Sequence, residues 1–372
     1  MGNDDIEKEL EGYGITQKEP PKSGWRRLAF GFWVLILVVI LFGVGGTLVY
    51  KTSFTFSQIQ TGEVSGFIFT EEMATPLPDG NRLNILLLGL RGEDDPNGGL
   101  LTDSIMVASL KKSTGQTALI SIPRDLYVKI PGANKKEKIN YAYAYGFEKK
   151  GAAGALLFSK IAVAQATGLY IDKALSVDHQ ALKEIVDALG GVAVILEEPL
   201  IEDQQWTKGG DSGDSPFFHI QTFNATSSGQ PQQKWVFEVP SGTSILDGAA
   251  ALYFVRARYS TSDFDRVRRQ QLVLAAMKDK AFSVGILANP IKLFQILDSL
   301  GRNVRTDMSL NDLKDLINLA DSLKAQDPIH KVFDTTPEGL LYASRTESGA
   351  YILLPQGDDF SKIHEACQKI FE

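Results

Sequence analysis

An uncharged apolar stretch near the start of the chain constrains its architecture more than any other feature of the sequence. The stretch LAFGFWVLILVVILFGVGGTLVY runs from Leu28 to Tyr50 without a charged side chain. At about 1.5 Å per residue, a helix of this length spans a bilayer core of roughly 30 Å. We therefore predict a transmembrane helix over residues 28–50.

Charges on either side of this stretch predict its orientation. Arg26 and Arg27 precede it directly, whereas Lys51 alone follows it. The positive-inside rule then puts residues 1–27 in the cytosol and the rest of the chain outside. A cleaved signal peptide is the alternative. Its apolar region would span only about 7–15 residues and an A-x-A-like site would follow, so we favour an uncleaved anchor.

The remainder of the chain alternates predicted strands with predicted helices. Residues 51–80 have few periodic apolar positions, and we interpret them as an extracytoplasmic linker. Over residues 81–325, short apolar runs alternate with stretches of helical periodicity that end at glycines. This alternation is typical of an α/β sandwich.

Two segments depart from the alternation. Residues 201–234 are polar, aperiodic and rich in glycine and serine, which predicts a long insertion loop. Residues 326–372 carry two strand-like runs and a final helical pattern from about Ser361. We interpret this tail as a small C-terminal β/α extension.

Composition and motifs narrow the chemistry. Cys367 is the single cysteine, so no intrachain disulfide is possible. The four histidines lack the spacing of a zinc site, and the sequence contains no P-loop, no G-x-S-x-G and no G-x-G-x-x-G between strand and helix. The formal net charge of -7 and the predicted outside location argue against nucleic acid as a partner.

The stretch RARYSTSDFDRVRRQ, residues 256–270, concentrates five arginines in this acidic chain. Arg266, Arg269 and Gln270 lie at i, i+3 and i+4 of a predicted helix and share one face. That face becomes apolar further along, so we predict that it points into the protein. Arg268 lies on another face, where we expect an ordinary surface charge.

Other arginines are expected near the same place. Arg256 and Arg258 close the preceding element, and Arg124 follows a predicted strand in SIPRDLY. Ligands of open α/β sheets bind beyond the carboxyl ends of strands. Asp263 can neutralise one or two of these guanidinium groups, and the surplus predicts a bound phosphate. A solvated helix face with paired charges is the alternative.

One aspartate, Asp103, is a further candidate functional residue. In LLTDSIMVASL, Asp103 starts a predicted strand beside the loop that follows the first strand. A carboxylate facing an arginine-lined phosphate site is a candidate ligand of Mg²⁺. A strand-end cap or an ion pair is an equally open interpretation.

Six motifs occur in this order along the chain: NILLLGL, LTDSIMVASL, SIPRDLYVKIPG, KINYAYAYG, VDALGGVAV and RARYSTSDFDRVRRQ. Over about residues 82–280, the chain resembles the LytR-CpsA-Psr family of bacterial cell-envelope proteins. The resemblance implies an α/β/α sandwich with a central mixed β-sheet, and an apolar lipid groove between the sheet and the helices. It implies a phosphotransferase that moves a glycopolymer from an undecaprenyl-pyrophosphate carrier to a peptidoglycan sugar hydroxyl, assisted by Mg²⁺. The anchor then lies in the bacterial cell membrane, and the catalytic domain is extracytoplasmic.

The resemblance also assigns roles to residues by motif position. Asp103, Asp263 and Arg266 are the candidate catalytic residues, with Asp103 as the metal ligand. Asp103 and Asp263 both stay candidates for the base. The positions implied to bind pyrophosphate are Arg124, Arg256, Arg258, Arg266, Arg269 and Gln270, with Lys138 and Asn140 of the KIN motif at the edge of the site.

The chain departs from the family pattern at one important position. Many members carry an arginine two residues before the aspartate, where this chain has Leu101. Arg91, from the neighbouring loop, is a candidate replacement.

The alanine-rich helix predicted over 150–166 either lines the lipid groove or packs in the core.

Two other functions fit the same residues. A lipid-pyrophosphate phosphohydrolase would share the site and use water as the acceptor. A non-catalytic protein that binds envelope polymers would use the arginines for binding alone. A transcriptional attenuator would require a DNA-binding domain, which residues 1–27 are too few to form.

Overall fold

The structure is a computed structural model, and it describes most of the chain after residue 70. The described residues are 60–61, 70–92, 99–205, 215–223, 232–283, 301, 303–309, 311–312, 315 and 328–372. They belong to one unit, Thr55–Glu372. The predicted cytosolic segment 1–27 and the predicted anchor 28–50 lie outside them. Within the described part, no helix is long and apolar enough to cross a bilayer.

The secondary structure follows the predicted alternation. The strands are β1 (Arg82–Leu90), β2 (Ser104–Lys111), β3 (Thr117–Ser121), β4 (Tyr127–Lys129), β5 (Lys136–Lys138), β6 (Lys173–Asp178), β7 (Val192–Leu196), β8 (Leu200–Glu202), β9 (Phe218–Phe223), β10 (Gln232–Val239), β11 (Gly242–Leu246), β12 (Val304–Thr306), β13 (Ile329–Val332), β14 (Leu341–Arg345) and β15 (Tyr351–Pro355). The helices are α1 (Tyr141–Thr167), α2 (His179–Leu189), α3 (Gly248–Arg256), α4 (Asp263–Ser283) and α5 (Ser361–Gln368).

A mixed sheet forms the centre of the molecule. Its strand order is β12-β6-β1-β2-β3-β13. Strands β1 and β6 run parallel, as do β3 and β13, whereas the other neighbours are antiparallel. In the central pair, Leu86 of β1 lies opposite Val107 of β2. The predicted central mixed sheet is confirmed.

Helices cover both faces of this sheet. On one face, α1 and α5 pack against the buried side chains of β1 and β2, and Tyr143, Leu156 and Cys367 belong to this cluster. A second cluster joins α2, α3 and α4 with the smaller strands, and includes Val186, Phe254 and Val273. The resulting three layers are the predicted α/β/α sandwich.

Helix α1 is longer than its sequence pattern predicts. The pattern predicts a helix over residues 150–166, but the helix begins at Tyr141 and is interrupted at Lys150 and Gly151. Gly151 adopts φ 62° and ψ -156°, a combination that only glycine reaches without strain. Gly168 ends the helix in the left-handed region, as expected. The helix packs in the core and does not line the groove.

The prediction of an insertion loop over residues 201–234 is wrong for the described part of that segment. Strands β8, β9 and β10 form an antiparallel sheet in which Phe237 lies opposite both Glu202 and Phe218. Phe218 packs edge-to-face on Tyr253, with ring centroids 4.5 Å apart. Strand β9, FHIQTF, is mostly exposed, so its sequence lacks the apolar alternation that identifies a half-buried strand.

The C-terminal residues complete the sandwich, and we correct their interpretation as a small extension. Strand β13 joins the edge of the central sheet, with Ile329 opposite Ala118. In the hairpin of β14 and β15, the backbone N–H of Leu353 donates to the Asp125 carbonyl at 2.9 Å. The side chain of Cys367 on α5 is buried in the same core cluster as α1.

Candidate active site

A cavity of about 510 Å³ lies between the central sheet and helices α2, α3 and α4. Its apolar side chains, the apolar wall, are Leu87, Met106, Leu175, Val177, Leu182, Ile185, Val273, Leu274 and Met277. Its charged side chains include Arg91, Asp103, Arg124, Asp178, Arg256, Arg258 and Arg266. The volume falls within the range of roughly 300–1,000 Å³ that is typical of ligand sites.

Strand β1 explains the apolar wall. Its sequence is apolar without alternation, which predicts burial on both faces. The structure shows that Leu86 is fully buried in the cluster that contains α1, whereas Leu87 is only partly buried and lines the cavity. The second apolar face of the strand therefore covers a space and not a packed layer.

Asp103 lies at the polar part of the cavity and is held by two guanidinium groups. Arg124 Nη1 donates to Oδ1 at 2.6 Å, and Arg91 Nε donates to Oδ2 at 3.1 Å. Burial acts to raise the pKa of Asp103, but the charges and hydrogen bonds of Arg124 and Arg91 outweigh it and lower the pKa. The carboxylate therefore stays ionised and forms ion pairs with Arg124 and Arg91, and its role as a ligand of Mg²⁺ stays a prediction.

Arg91, the candidate replacement for the arginine absent at position 101, lies beside Asp103. Leu101 does not line the cavity, whereas Arg91 both lines it and reaches Asp103. The side chain comes from the other end of the loop that joins β1 to β2. A guanidinium group is thus present beside Asp103 even though the family arginine is absent.

Arg124 contacts three carboxylates. Besides Asp103, its Nη2 lies 3.9 Å from Asp263 and its Nε lies 3.6 Å from Asp125. Burial acts to lower the pKa of Arg124, but these three negative charges raise it. The buried Nε atoms of Arg124 and Arg266 have no hydrogen-bond partner among the described residues. Such N–H groups are available to an anionic ligand.

The predicted phasing of helix α4 is confirmed. Arg266 and Arg269 are 5% and 7% exposed, whereas Arg268 is exposed and pairs with Asp265 at 2.7 Å. Arg266 Nη2 donates to Asp263 at 3.0 Å and to the Asp103 carbonyl at 3.4 Å. Burial lowers the pKa of Arg266, and the negative charge of Asp263 opposes that shift.

Arg269 is buried behind the cavity and does not line it. Its Nε donates to the Phe254 carbonyl at 3.0 Å, and its Nη2 donates to the Ala257 carbonyl and to Thr261 Oγ1. Burial lowers the pKa of Arg269 to about 10. The structure therefore gives this arginine backbone partners where the sequence predicted a pyrophosphate contact.

Three further predicted residues lie beside the cavity and not in its lining. Asp263 is partly exposed at the first turn of α4. Lys138 Nζ donates to Asp125 at 2.5 Å. The Asn140 backbone N–H donates to the Arg124 carbonyl at 3.3 Å, so the KIN segment supports the turn that carries Arg124. The predicted residues that do line the cavity are Asp103, Arg124, Arg256, Arg258, Arg266 and Gln270.

Sequence reasoning missed several residues of the lining. These are Ser104, Asp178, His179, Gln205 and Tyr259. Tyr259 lies inside the arginine stretch, and its position directly after Arg258 is the sequence signal that could have identified it as a lining residue. Gln205 lies in the segment predicted to be a loop, where no pattern pointed to the site.

The lining combines an apolar wall with excess positive charge. Among the described residues, it holds five arginines and two aspartates. Close guanidinium groups repel one another unless anions neutralise them. The arrangement therefore suits a ligand with an apolar chain and a strongly anionic head group.

Comparison with known proteins agrees with this architecture. The profile of the LytR_cpsA_psr family matches residues 58–369. The polyisoprenyl-teichoic acid–peptidoglycan teichoic acid transferase TagU of Enterococcus faecalis is 28% identical over 291 residues, which cover 77% of this chain and 80% of the relative. The corresponding transferase TagT of Bacillus subtilis is 27% identical over 270 residues, 71% of this chain and 72% of the relative.

Solved structures share the fold. TagT bound to LIIa-WTA superposes with a TM-score of 0.57 at 22% identity, covering 83% of this chain and 98% of that structure. TagV of B. subtilis gives a TM-score of 0.54 at 20% identity, covering 78% of this chain and 98% of that structure. Both likenesses extend through most of the described residues.

Proposed function

Because the chain belongs to the LytR_cpsA_psr family, we propose that it transfers a glycopolymer from a polyisoprenyl-pyrophosphate carrier to a sugar hydroxyl of peptidoglycan. The observation that carries this proposal is the cavity, whose apolar wall adjoins five arginines. A polyisoprenyl pyrophosphate has the same two parts, an apolar chain and an anionic head group. The names of the TagU and TagT relatives describe the same class of reaction.

The head group binds at the arginines. Arg124 and Arg266 each keep a buried Nε–H without a hydrogen-bond partner among the described residues, although Arg124 Nε lies 3.6 Å from Asp125, and Arg256 and Arg258 lie in the same lining. Guanidinium groups bind phosphate oxygens in pairs, and their fixed charges also stabilise the negative charge that develops during phosphoryl transfer. The polyisoprenyl chain lies along the apolar wall between β1 and α4.

The acceptor hydroxyl loses its proton to Asp263. Both oxygens of Asp103 accept from guanidinium groups inside the cavity, whereas Asp263 is 37% exposed and lies where a bulky sugar can approach. The hydroxyl oxygen attacks the sugar-linked phosphorus and forms the new P–O bond. The P–O bond to the carrier breaks, and the carrier leaves as undecaprenyl phosphate, which needs no added proton.

Asp103 is the residue that would hold Mg²⁺. Magnesium prefers oxygen ligands and commonly binds through one or two carboxylates together with substrate phosphates. Asp103 is an ionised carboxylate in the lining, and within the described part of the chain no group of three or more His, Cys, Asp or Glu side chains forms a cage. This donor set fits an ion held jointly with phosphates. When bound, Mg²⁺ neutralises charge on those phosphates.

We also propose that the chain is anchored in the cytoplasmic membrane by residues 28–50, with the sandwich outside. The support is the uncharged apolar run and the two arginines that precede it. This location brings the cavity to the compartment that contains both the lipid carrier and peptidoglycan.

Arg266→Ala tests the proposed function, with Arg268→Ala as the matched control on the same helix. The full-length protein in detergent would receive a lipid-linked glycopolymer donor and peptidoglycan fragments. We expect Arg266→Ala to lower the transfer rate about 100-fold or more. Arg268 is exposed and paired with Asp265, so its removal should leave the rate nearly unchanged.

Three outcomes would contradict the proposal. Equal rates for Arg266→Ala and the wild type would indicate that the arginines do not act in transfer. Carrier phosphate released at the full rate without an acceptor would identify a phosphohydrolase. Binding of the donor without any product would identify a non-catalytic binding protein.

A further inference from the structure

We infer that Glu202 is a positioning residue that holds the loop between α3 and α4, residues 257–262, in the conformation that lines the cavity. This loop carries Arg258 and Tyr259, both of which belong to the lining. The role of the loop in donor binding rests on the proposed function. The inference that Glu202 holds it rests on contacts alone.

The Glu202 carboxylate is fully buried and accepts hydrogen bonds from three consecutive backbone N–H groups. Its Oε2 atom accepts from Arg258 at 3.0 Å, from Tyr259 at 2.8 Å and from Ser260 at 3.1 Å. Ser260 Oγ adds a fourth donor at 3.3 Å, and Oε1 accepts from the Gln204 N–H at 3.1 Å. No basic side chain in the described ranges forms an ion pair with Glu202.

These contacts make the loop and the carboxylate depend on each other. A buried carboxylate without a basic partner is costly unless hydrogen-bond donors surround it. Backbone N–H groups away from regular structure are equally costly when buried and unpaired. Three successive N–H groups can converge on one oxygen only in a narrow range of backbone conformations. Glu202 therefore selects one conformation of residues 258–260.

Arg269 holds the same loop from the acceptor side. Its guanidinium group donates to the carbonyls of Phe254 and Ala257 and to Thr261 Oγ1. A buried anion thus satisfies the N–H groups of the loop while a buried cation satisfies carbonyls at its start. This arrangement explains why Arg269 is buried without lining the cavity.

The consequence is preorganisation of the charged lining. Arg258 lies over the ring of Tyr259, with 5.0 Å between the guanidinium carbon and the ring centroid. If the loop is fixed before the donor arrives, no ordering cost is added when the head group binds. Loss of Glu202 should therefore weaken donor binding although Glu202 itself does not line the cavity.

Glu202→Gln tests this inference in the full-length protein, with the exposed Glu198→Gln as the matched control. Glutamine keeps the size of the side chain, but its NH₂ group must face either the loop N–H groups or that of Gln204. We expect amide hydrogen exchange at residues 258–260 to become at least about tenfold faster, and the KM for the donor to rise about tenfold. Glu198→Gln should change neither. A merely structural role would lower the melting temperature without selectively exposing these three amides.

A double-mutant cycle with Arg258→Ala shows whether the effect passes through the loop. If Glu202 acts by positioning Arg258, Glu202→Gln should have little further effect on KM in the Arg258→Ala background. Fully additive effects, or unchanged exchange at residues 258–260, would overturn the inference. The exchange measurement needs no substrate, so it holds or fails independently of the proposed transferase activity.

Discussion

At the scale of single residues, Arg124 joins the inside of the cavity to its outer edge. One nitrogen contacts Asp103 in the lining, another faces Asp263 at the start of α4, and the third lies near Asp125. The two carboxylates that compete for the role of base therefore share one cation. They differ in exposure, since the Asp263 side chain is 37% exposed, whereas both oxygens of Asp103 accept from guanidinium groups.

Outside the cavity, Asp312 gives a test of pH dependence that leaves the candidate site intact. Burial acts to raise the pKa of Asp312, but the hydrogen bonds from Lys173 and Ser309 together outweigh it and lower the pKa to about 2. A carboxylate with a lowered pKa stabilises the folded state above its ordinary pKa of 3.8, and this stability is lost as the pH falls towards 2. We expect Asp312→Asn to lower the free energy of unfolding at pH 7.

The same variant should differ less and less from the wild type as the pH falls below about 4. Urea unfolding at a series of pH values measures this difference. A destabilisation that stays constant down to pH 3 would contradict the assigned pKa and would indicate that the turn at Ser309 matters only through its hydrogen bonds.

At the scale of elements, helix α4 supplies both parts of the candidate site. Its first turn presents Asp263 and Arg266, and about two and three turns after Arg266, Val273 and Met277 join the apolar wall. Because these positions lie on one face, a shift of the helix would displace the charged and the apolar parts together. This single face is the reason that the inward direction of Arg266 could be predicted from helix spacing.

The reactivity of Cys367 reports whether helix α5 stays packed against the core. Cys367 is 1% exposed, and burial raises the pKa of its thiol to about 12. We expect the native protein to resist thiol reagents at pH 8 and to react with one equivalent after unfolding. Mass spectrometry measures the labelled fraction. Rapid labelling of the native protein would show that α5 does not stay packed on the α1 face of the sheet.

At the scale of the whole molecule, the C-terminal residues are part of the core and not an appendage. Strand β13 extends the central sheet, Leu341 and Leu353 are fully or nearly fully buried, and α5 covers the α1 layer. We expect a chain that ends before Ile329 to be insoluble or unfolded, because it would leave an unpaired sheet edge and an open core. Removal of Glu372 alone is the matched control.

Circular dichroism and the soluble yield of the shortened chain measure this outcome. A folded, soluble protein without residues 329–372 would show that the tail is dispensable for the sandwich. Transfer activity in such a protein would also exclude any contribution from the hairpin that contacts Asp125.

The parts of the structure that could be predicted are those that depend on local periodicity. The inward face of Arg266 and the end of α1 at Gly168 follow from helix geometry and from the freedom of glycine. The role of Glu202 could not be predicted, because its partners lie 56 to 58 residues away and are backbone N–H groups without a sequence signature. The prediction that Arg269 binds pyrophosphate failed for a related reason. Helix spacing shows that a residue points inwards, but it does not show which atoms that residue contacts.

Because the protein has this cavity, its stability should depend on the small molecules present in the solution. A ligand that binds only the folded state stabilises it by mass action, by about 2.7 kcal/mol at a concentration 100 times its Kd. Detergents and lipids carry apolar chains of the kind that we propose binds the wall between β1 and α4. The melting temperature of the purified protein should therefore rise with the fraction of cavities that are occupied. It should also change when one detergent is replaced by another.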